Sequence, residues 1–352
     1  MKILEINTEK TWRGGERQTY FALKGFRSLG HEVHLLAREG YSLIGKARDD
    51  KFECFGVDSH LSIIPFLLIH GRKYDILHFQ TSSLLTFGVL TKLFHQSLVV
   101  YTRRLDFIPK GQLTKWKYNK ADLIVSISSP ISKILSDFGV NHTELITECI
   151  EEKDLNKSRA LKFIDDHGLQ GKKIIGTTAA FVQHKDPQTL VKAINELSKL
   201  RDDFVILHFG EGVLKPEIEG MIQGFNLDKF YKLPGFLSNV EDFFGIFDVF
   251  VMSSEEEGLG SSVLDAFIYK VPVVSTNAGG LSEIVKDRGH LVDVKDYKAL
   301  ANKLNRALES KSYSAFYVDH AYAFAKQRLN IETIHKEYIE TFERLKQKKE
   351  QG

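Results

Sequence analysis

Apolar runs of strand length alternate with longer stretches whose apolar residues recur at helical spacing, and the alternation continues through both halves of the chain. Continuous apolar strands separated by helices are what a parallel sheet covered on both faces requires. The pattern predicts an α/β fold. In the first half the strands read KILEIN (2–7), HEVHLLA (31–37), DILHF (75–79), LVVYT (98–102) and DLIVSIS (122–128). A first helix over roughly 16–29 ends at Gly30, a residue suited to the turn that stops a helix. In the second half the strands read KIIGTTA (173–179), FVILHFG (204–210), VFVMSS (249–254) and VPVVST (271–276). The polar stretch EEKDLNKSRALK (151–162) separates the two series, so domains are expected at 1–150 and 151–325. Over 326–352, Ile331, Ile334, Tyr338, Phe342 and Leu345 form one face of a terminal helix, with the basic tail KQKKEQG expected to fray.

Composition narrows this picture. A length of 352 residues suits two domains, with a ligand cleft expected where they meet. The formal charge of +2 gives no overall attraction to nucleic acid. Cys54 and Cys149 are too few for a disulfide framework, which points to a reducing, cytoplasmic setting. MKILEINTEK has no basic-then-apolar leader, and the greasiest stretch, Leu61 to Ile69, is short and broken by Pro65, so no membrane span is expected. One stretch departs from the balance. TRRLDFIPKGQLTKWKYNK (102–120) sets Arg103, Arg104, Lys110, Lys115, Lys117 and Lys120 against Asp106 alone, with Tyr101, Phe107, Trp116 and Tyr118 interleaved. It reads either as a solvated loop and helix face or as a surface for a phosphorylated glycolipid or an anionic membrane. Interleaved aromatics also suit single-stranded nucleic acid.

The densest chemistry lies in SSEEEGLGSSVLDAFIYKVPVVSTNAGGLSEIV (253–285). A strand runs into a glycine-bearing loop and then a helix from about Ser261, so backbone N–H groups over Gly258, Leu259, Gly260, Ser261 and Ser262 present an anion site suited to a diphosphate. Glu257 is an exposed loop acid, and Asp265 stands eight positions on, about two turns along, so the pair reaches different parts of one elongated ligand. Carboxylates accept paired hydrogen bonds from vicinal hydroxyls. The bland reading is a solvated acidic run followed by a structural turn.

This segment resembles the retaining family 4 glycosyltransferases of GT-B fold, whose signature is E-x7-E inside S-x-x-E-G-[FL]-G…E-A-x-x-x-G-x-P-V-[VI], followed by G-G-x-x-E. Glu257 takes the place of the first Glu, Asp265 that of the second, and Pro272, Gly279, Gly280 and Glu283 match in order. The resemblance extends over nearly the whole chain. TWRGGERQTYFALKGFRSLGHEV (11–33) resembles the N-terminal loop in which Gly14 and Gly15 let backbone approach donor phosphates and acceptor. DILHFQ (75–80) resembles D-I-[VI]-H-x-H with Gln80 for the second His, and His78 reads equally as a core histidine or a ligand. IGTTAAFVQHKDPQTLVKA (175–193) resembles the segment that gives an Arg and a Lys to the diphosphate; Lys185 is kept, His184 precedes it, and no Arg occurs from 160 to 200. FGEGVLK (209–215) matches the G-x-G-x-x-[KR] turn with Gly210, and LPGFLSNVEDFF (233–244) matches the base-binding strand and loop, where backbone around Phe236 and Leu237 is expected to read the base.

The resemblance implies two Rossmann-like domains facing across a cleft, the terminal helix crossing back to the first. The N-terminal domain takes the acceptor, with His78, Gln80, Arg103 and Arg104 on that side, and the C-terminal domain takes the nucleotide-sugar donor. Glu257 and Lys185 would be catalytic, Glu257 touching the transferred sugar and Asp265 holding the ribose. The chain holds no D-x-D, G-x-x-x-x-G-K-[ST], H-E-x-x-H or C-x-x-C, so neither metal nor cofactor is expected. The implied activity is retaining transfer of a hexose or heptose from a nucleotide-diphosphate sugar to a glycan or glycolipid, in cell-envelope polysaccharide or lipopolysaccharide synthesis. It is expected in the cytoplasm, with peripheral contact at the inner face of an anionic membrane and no nucleic-acid partner. Two alternatives stand beside it: a non-catalytic nucleotide-sugar-binding subunit, and a sugar-nucleotide epimerase or hydrolase on the same fold.

Overall fold

The computed structural model describes residues 1–237 and 239–351. The chain forms two compact units, one of Met1–Cys149 with Arg328–Gly352 and one of Ile150–Gln327. Unit 1 runs β1 (Lys2–Asn7), α1 (Gly14–Ser28), β2 (Glu32–Arg38), α2 (Ser42–Asp49), β3 (Glu53–Val57), α3 (Ile63–His70), β4 (Ile76–Phe79), α4 (Ser82–Thr91), β5 (Leu98–Arg103), α5 (Gln112–Lys120), β6 (Leu123–Ser126), α6 (Ser129–Asp137) and β7 (Thr143–Leu145). Unit 2 runs α7 (Lys157–Asp166), β8 (Lys173–Thr178), α8 (Pro187–Ser198), β9 (Phe204–Phe209), α9 (Lys215–Gly224), β10 (Tyr231–Gly235), β11 (Val249–Met252), α10 (Ser261–Ile268), β12 (Val273–Thr276), α11 (Leu281–Val285), β13 (His290–Val292), α12 (Tyr297–Glu309) and α13 (Lys311–Arg328). The chain then re-enters unit 1 as α14 (Ile331–Gln351).

Each unit holds one all-parallel sheet, seven strands in the order β3-β2-β1-β4-β5-β6-β7 and six in the order β10-β9-β8-β11-β12-β13. Central strands are buried on both faces, which is why they read as unbroken apolar runs. In unit 2, Ile175, Ile206, Val249 and Val251 pack beneath Leu190 and Ile194 of α8 and Leu300 and Leu304 of α12. Strand order reverses between β1 and β4 and again between β8 and β11. Helices leaving such neighbours diverge to opposite faces, opening a crevice at the strands' carboxyl ends where ligands of these sheets bind.

The terminal helix closes unit 1. His335 meets the Phe26 ring edge-on at 5.0 Å between centroids, and the Tyr338 hydroxyl lies 3.1 Å from Thr102 Oγ1. The basic tail differs from the expectation of fraying: α14 stays helical to Gln351, Lys346 pairs with Asp75 at 2.7 Å, and Lys349 donates to the Gln96 carbonyl. No helix among the described residues is long and apolar enough to cross a membrane.

Candidate functional site: a Lys–Glu pair at the strand-order reversal of unit 2

Two loops meet at the carboxyl ends of β8 and β11. The first passes through a tight turn over Gln183–Lys185 into Asp186, whose left-handed backbone and side chain cap α8, the carboxylate accepting from Thr189 N–H at 3.1 Å. The second, 253–260, leads into α10. They are sewn together: the N–H groups of Glu255 and Glu256 donate to the His184 carbonyl at 2.9 and 3.2 Å, and Ser253 Oγ donates to the Asp186 carbonyl at 3.0 Å. Lys185 Nζ and Glu257 then form an ion pair, with Ser254 Oγ 3.3 Å from the same carboxylate oxygen. Ser254 is itself fixed by Thr276 Oγ1, which donates to its carbonyl at 2.6 Å. Glu257 is not the exposed loop acid the sequence suggested, since its side chain keeps only 12% of its exposure and that of Lys185 20%.

The glycine pair after β12 locks this loop from the other side. Gly280 N–H donates to the Glu257 carbonyl at 2.8 Å, and a Cβ on Gly280 would sit 2.2 Å from the Gly258 carbonyl oxygen. A Cβ on Gly279, whose φ is +49°, would sit 2.3 Å from the Glu257 carbonyl oxygen. No side chain fits there. Beyond the loop, Gly260 opens α10, with Gly258 and Leu259 buried and Ser261 and Ser262 half-buried at its positive end. Asp265 corrects the spacing argument: the helix begins at Ser261, so Asp265 stands in its second turn, about one turn from the start, and is 5% exposed. Gly210 N–H donates to the Gly235 carbonyl at 3.0 Å, aligning the ends of β9 and β10. Phe236, 56% exposed, and Leu237, half-buried, follow β10 at the rim, while Ser238 of the same segment lies outside the described residues. His184 contributes its carbonyl to the loop and leaves its side chain exposed.

In unit 1 the expected acceptor-side residues are largely turned inward. His78 uses both ring nitrogens, Nδ1 with Glu5 Oε1 and Nε2 with Thr102 Oγ1, each at 2.7 Å. It is a core histidine. Gln80 donates to Glu5 Oε2 at 2.6 Å and accepts from Arg104 at 2.6 Å, and Arg104 also pairs with Glu148 at 2.9 Å. Arg103 is 1% exposed and donates to the Tyr118 hydroxyl at 2.9 Å and to the Phe107 carbonyl, so it cannot meet an acceptor. Lys117 is likewise buried, donating to the Ser82 carbonyl at 2.6 Å, with its pKa lowered by desolvation. Half of the basic stretch is therefore structural. Gly14 opens α1, and a Cβ on Gly15 would meet nothing within 4 Å, so the fold itself does not demand glycine there. Glu16 beside it accepts from Arg13 N–H at 2.8 Å, and burial holds its carboxyl above the ordinary value. Ser254 and Glu5 were not singled out from sequence. A carboxylate in the middle of the apolar strand KILEIN was the available signal, since such a group must have partners.

The family models decide the family. Residues 161–323 match the family described as glycosyl transferases group 1, and residues 12–151 match glycosyltransferase family 4. The chain belongs to the family 4 glycosyltransferases of GT-B fold. Among curated relatives of this chain, the 2-deoxystreptamine N-acetyl-D-glucosaminyltransferase of Niallia circulans is 27% identical over 60% of this chain and 51% of its own. The sulfoquinovosyl transferase SQD2 of Arabidopsis thaliana is 25% identical over 68% of this chain and 51% of its own. The chain thus spans about half the length of these relatives. Among solved structures, Anabaena Alr3699/HepE in complex with UDP and glucose superimposes with a TM-score of 0.84 at 20% identity, covering 97% of this chain and 99% of that one.

Proposed function

We propose that this chain is a retaining, metal-independent glycosyltransferase that binds a nucleoside-diphosphate sugar in unit 2 and passes the sugar to a glycan or glycolipid acceptor in cell-envelope synthesis. The observation that carries the proposal is the Lys185–Glu257 pair set at the β8/β11 reversal beside the start of α10. A diphosphate arriving there would take Lys185 and the backbone at the positive start of α10, releasing Glu257 to accept hydrogen bonds from hydroxyls of the sugar. Asp265 would hold the ribose, and the base would lie toward Phe236 and Leu237. Gly15 of unit 1, where a Cβ would meet nothing within 4 Å, and its neighbour Gly14 suit close approach by a ligand.

Breaking the anomeric bond places negative charge on the leaving phosphate and positive charge on the sugar ring, and Lys185 with the α10 N–H groups meets the first. With departure and attack on one face, the leaving oxygen takes the acceptor proton, and anomeric configuration is kept without a strong protein base. The Anabaena protein was solved with UDP bound, which makes UDP-sugars the first donors to try. The same reading sets a glycolipid acceptor at the membrane, so peripheral contact with anionic lipid at the cytoplasmic face belongs to it. A thermal-shift series across UDP-, GDP- and ADP-sugars, followed by nucleoside diphosphate release with and without acceptor lipid extract, tests the proposal. Release that ignores acceptor would assign the chain to hydrolysis or epimerisation instead.

A further inference from the structure

Both sheets follow the same strand order from their outer edge inward, so the loops leaving β1 and β2 in unit 1 correspond to those leaving β8 and β9 in unit 2, at the carboxyl ends where such sheets bind ligands. In unit 2 these loops close on each other. Phe181, after β8, is fully buried with its ring 4.1 Å from that of His208, its N–H donates to the Glu211 carbonyl, and Leu214 N–H donates to its own carbonyl at 2.9 Å. In unit 1 the corresponding loops keep aromatic rings partly exposed, Trp12 after β1 and Tyr41 after β2. We infer that Trp12 and Tyr41 form a stacking platform for a pyranose ring of the acceptor, so that the part of the acceptor recognised there is a saccharide.

The two loops start side by side, since β1 and β2 pair in parallel with Asn7 opposite Ala37. Trp12 is held between two helices: it meets Tyr20 of α1 edge-on, 6.1 Å between centroids, and Lys46 of α2 lies 4.9 Å over the indole. Tyr41 stands at the start of that same α2, with Lys10 6.0 Å over its ring. The polar tips of this group are unused. Among the described residues neither the Trp12 indole N–H nor the Tyr41 hydroxyl has a hydrogen-bond partner, and neither Lys10 nor Lys46 forms an ion pair. Beside them the backbone is open, as a Cβ on Gly15 would meet nothing within 4 Å. A pyranose matches this set: one face of C–H groups packs on a ring, and a rim of hydroxyls donates and accepts around it. Rigid rings also lose little freedom on binding. An amine over an exposed ring is weakly held, so an arriving sugar would draw Lys10 and Lys46 to its own oxygens, more strongly if it carries a carboxylate. A purely apolar ligand would leave the indole N–H, the phenol and both amines unpaired. The role in acceptor binding rests on the proposed glycosyl transfer, whereas stacking itself needs no donor.

The test uses the full chain carrying Trp116→Phe, which leaves Trp12 as the one tryptophan of the two. Titration with cellotriose, triacetylchitotriose and trigalacturonate should change its emission saturably, at roughly millimolar concentration, with at least one of the three. Tyr41→Ala should weaken that binding about tenfold, with Tyr41→Phe keeping most of it. A preference for trigalacturonate that Lys10→Met with Lys46→Met removes supports the platform with an acidic sugar on it, and equal binding of a neutral trisaccharide supports it with a neutral one. In nucleoside diphosphate release with acceptor extract, Trp12→Ala and Tyr41→Ala should each raise the half-saturating amount of extract roughly tenfold, leaving donor KM and melting temperature as in the wild type. A ring with a merely structural role would move the melting temperature instead. No emission change with any of the three sugars, or sugar binding that Tyr41→Ala leaves untouched, overturns the inference. So does saturable quenching by uridine alone, which would make the rings a site for the donor's base. Sugar binding without transfer from any donor defeats the glycosyltransferase reading alone, and transfer whose dependence on extract is unmoved by both alanine variants defeats the platform alone.

Discussion

At the carboxyl ends of β1 and β4 the chain uses its polar side chains on one another, whereas at the carboxyl ends of β8 and β11 it leaves a pair at the rim. Glu5, His78 and Gln80 are at most 7% exposed and satisfy each other, with Arg104 and Glu148 continuing the network. Lys185 and Glu257 keep 20% and 12% of their side-chain exposure and are held by loop backbone through Ser253, Ser254 and the Gly279–Gly280 pair. A strand-order reversal thus supplies a crevice in both units, but what fills it decides whether it braces a fold or waits for a ligand. The network of unit 1 fixes α14, since Thr102 links His78 to Tyr338.

The largest test of this contrast removes one partner from each crevice. Glu257→Ala and Lys185→Ala should each cost transfer roughly ten- to hundredfold, from the loss of a charged hydrogen bond, with thermal stability nearly unchanged. Lys185→Ala should lower kcat more than donor affinity, because phosphate charge grows toward the transition state. Equal effects on nucleoside and nucleoside-diphosphate binding would remove Lys185 from the phosphate. Glu5→Ala should do the reverse, costing about 1–3 kcal/mol in urea unfolding through the buried groups it strands, while nucleotide binding stays as in the wild type. If Glu5→Ala abolishes donor binding yet unfolds normally, the division of roles is wrong.

A smaller effect should appear in both units together. His208 of unit 2 and His335 of unit 1 are buried, and desolvation pushes each imidazole down to about 4. The unfolded chain therefore binds protons that the folded chain refuses between pH 6.5 and 4. Stability from each is complete above pH 6.5 and falls as pH drops through this window, by about 2 kcal/mol per histidine at pH 5. Chemical denaturation at pH 7.5 and 5.0 measures it, and His208→Gln should reduce the difference. The smallest expected effect is none: activity should survive EDTA, as the missing D-x-D implies, and a loss restored by a divalent cation would contradict the mechanism.

What could be read in advance follows burial. Strands β1, β2, β4, β5, β6, β8, β9, β11 and β12 lie inside their sheets and show as apolar runs. The strands that periodicity missed are the four edges, β3, β7, β10 and β13. ECFGV, TEL and HLV are short or mixed because an edge strand is covered less completely, and YKLPG emerged only through the resemblance. The same rule governs the site. Backbone-rich loops around Glu257 carry their chemistry in consecutive residues, so glycines and acids are visible together. The inward turn of Arg103 and Lys117 is not, because a cation in sequence looks the same whether it meets water or a carbonyl.

The return of α14 to unit 1 also sets an order of events during synthesis. Unit 2 is contiguous, from Ile150 to Gln327, whereas unit 1 lacks the helix that covers Phe26 and Thr102 until the last segment is made. At about 5–20 residues per second, the first-made sheet waits on the order of ten to forty seconds for its final helix while the later unit is translated. The part of the chain that begins first is completed last, and through that interval its exposed α1 face is what a chaperone or a neighbouring nascent chain would find.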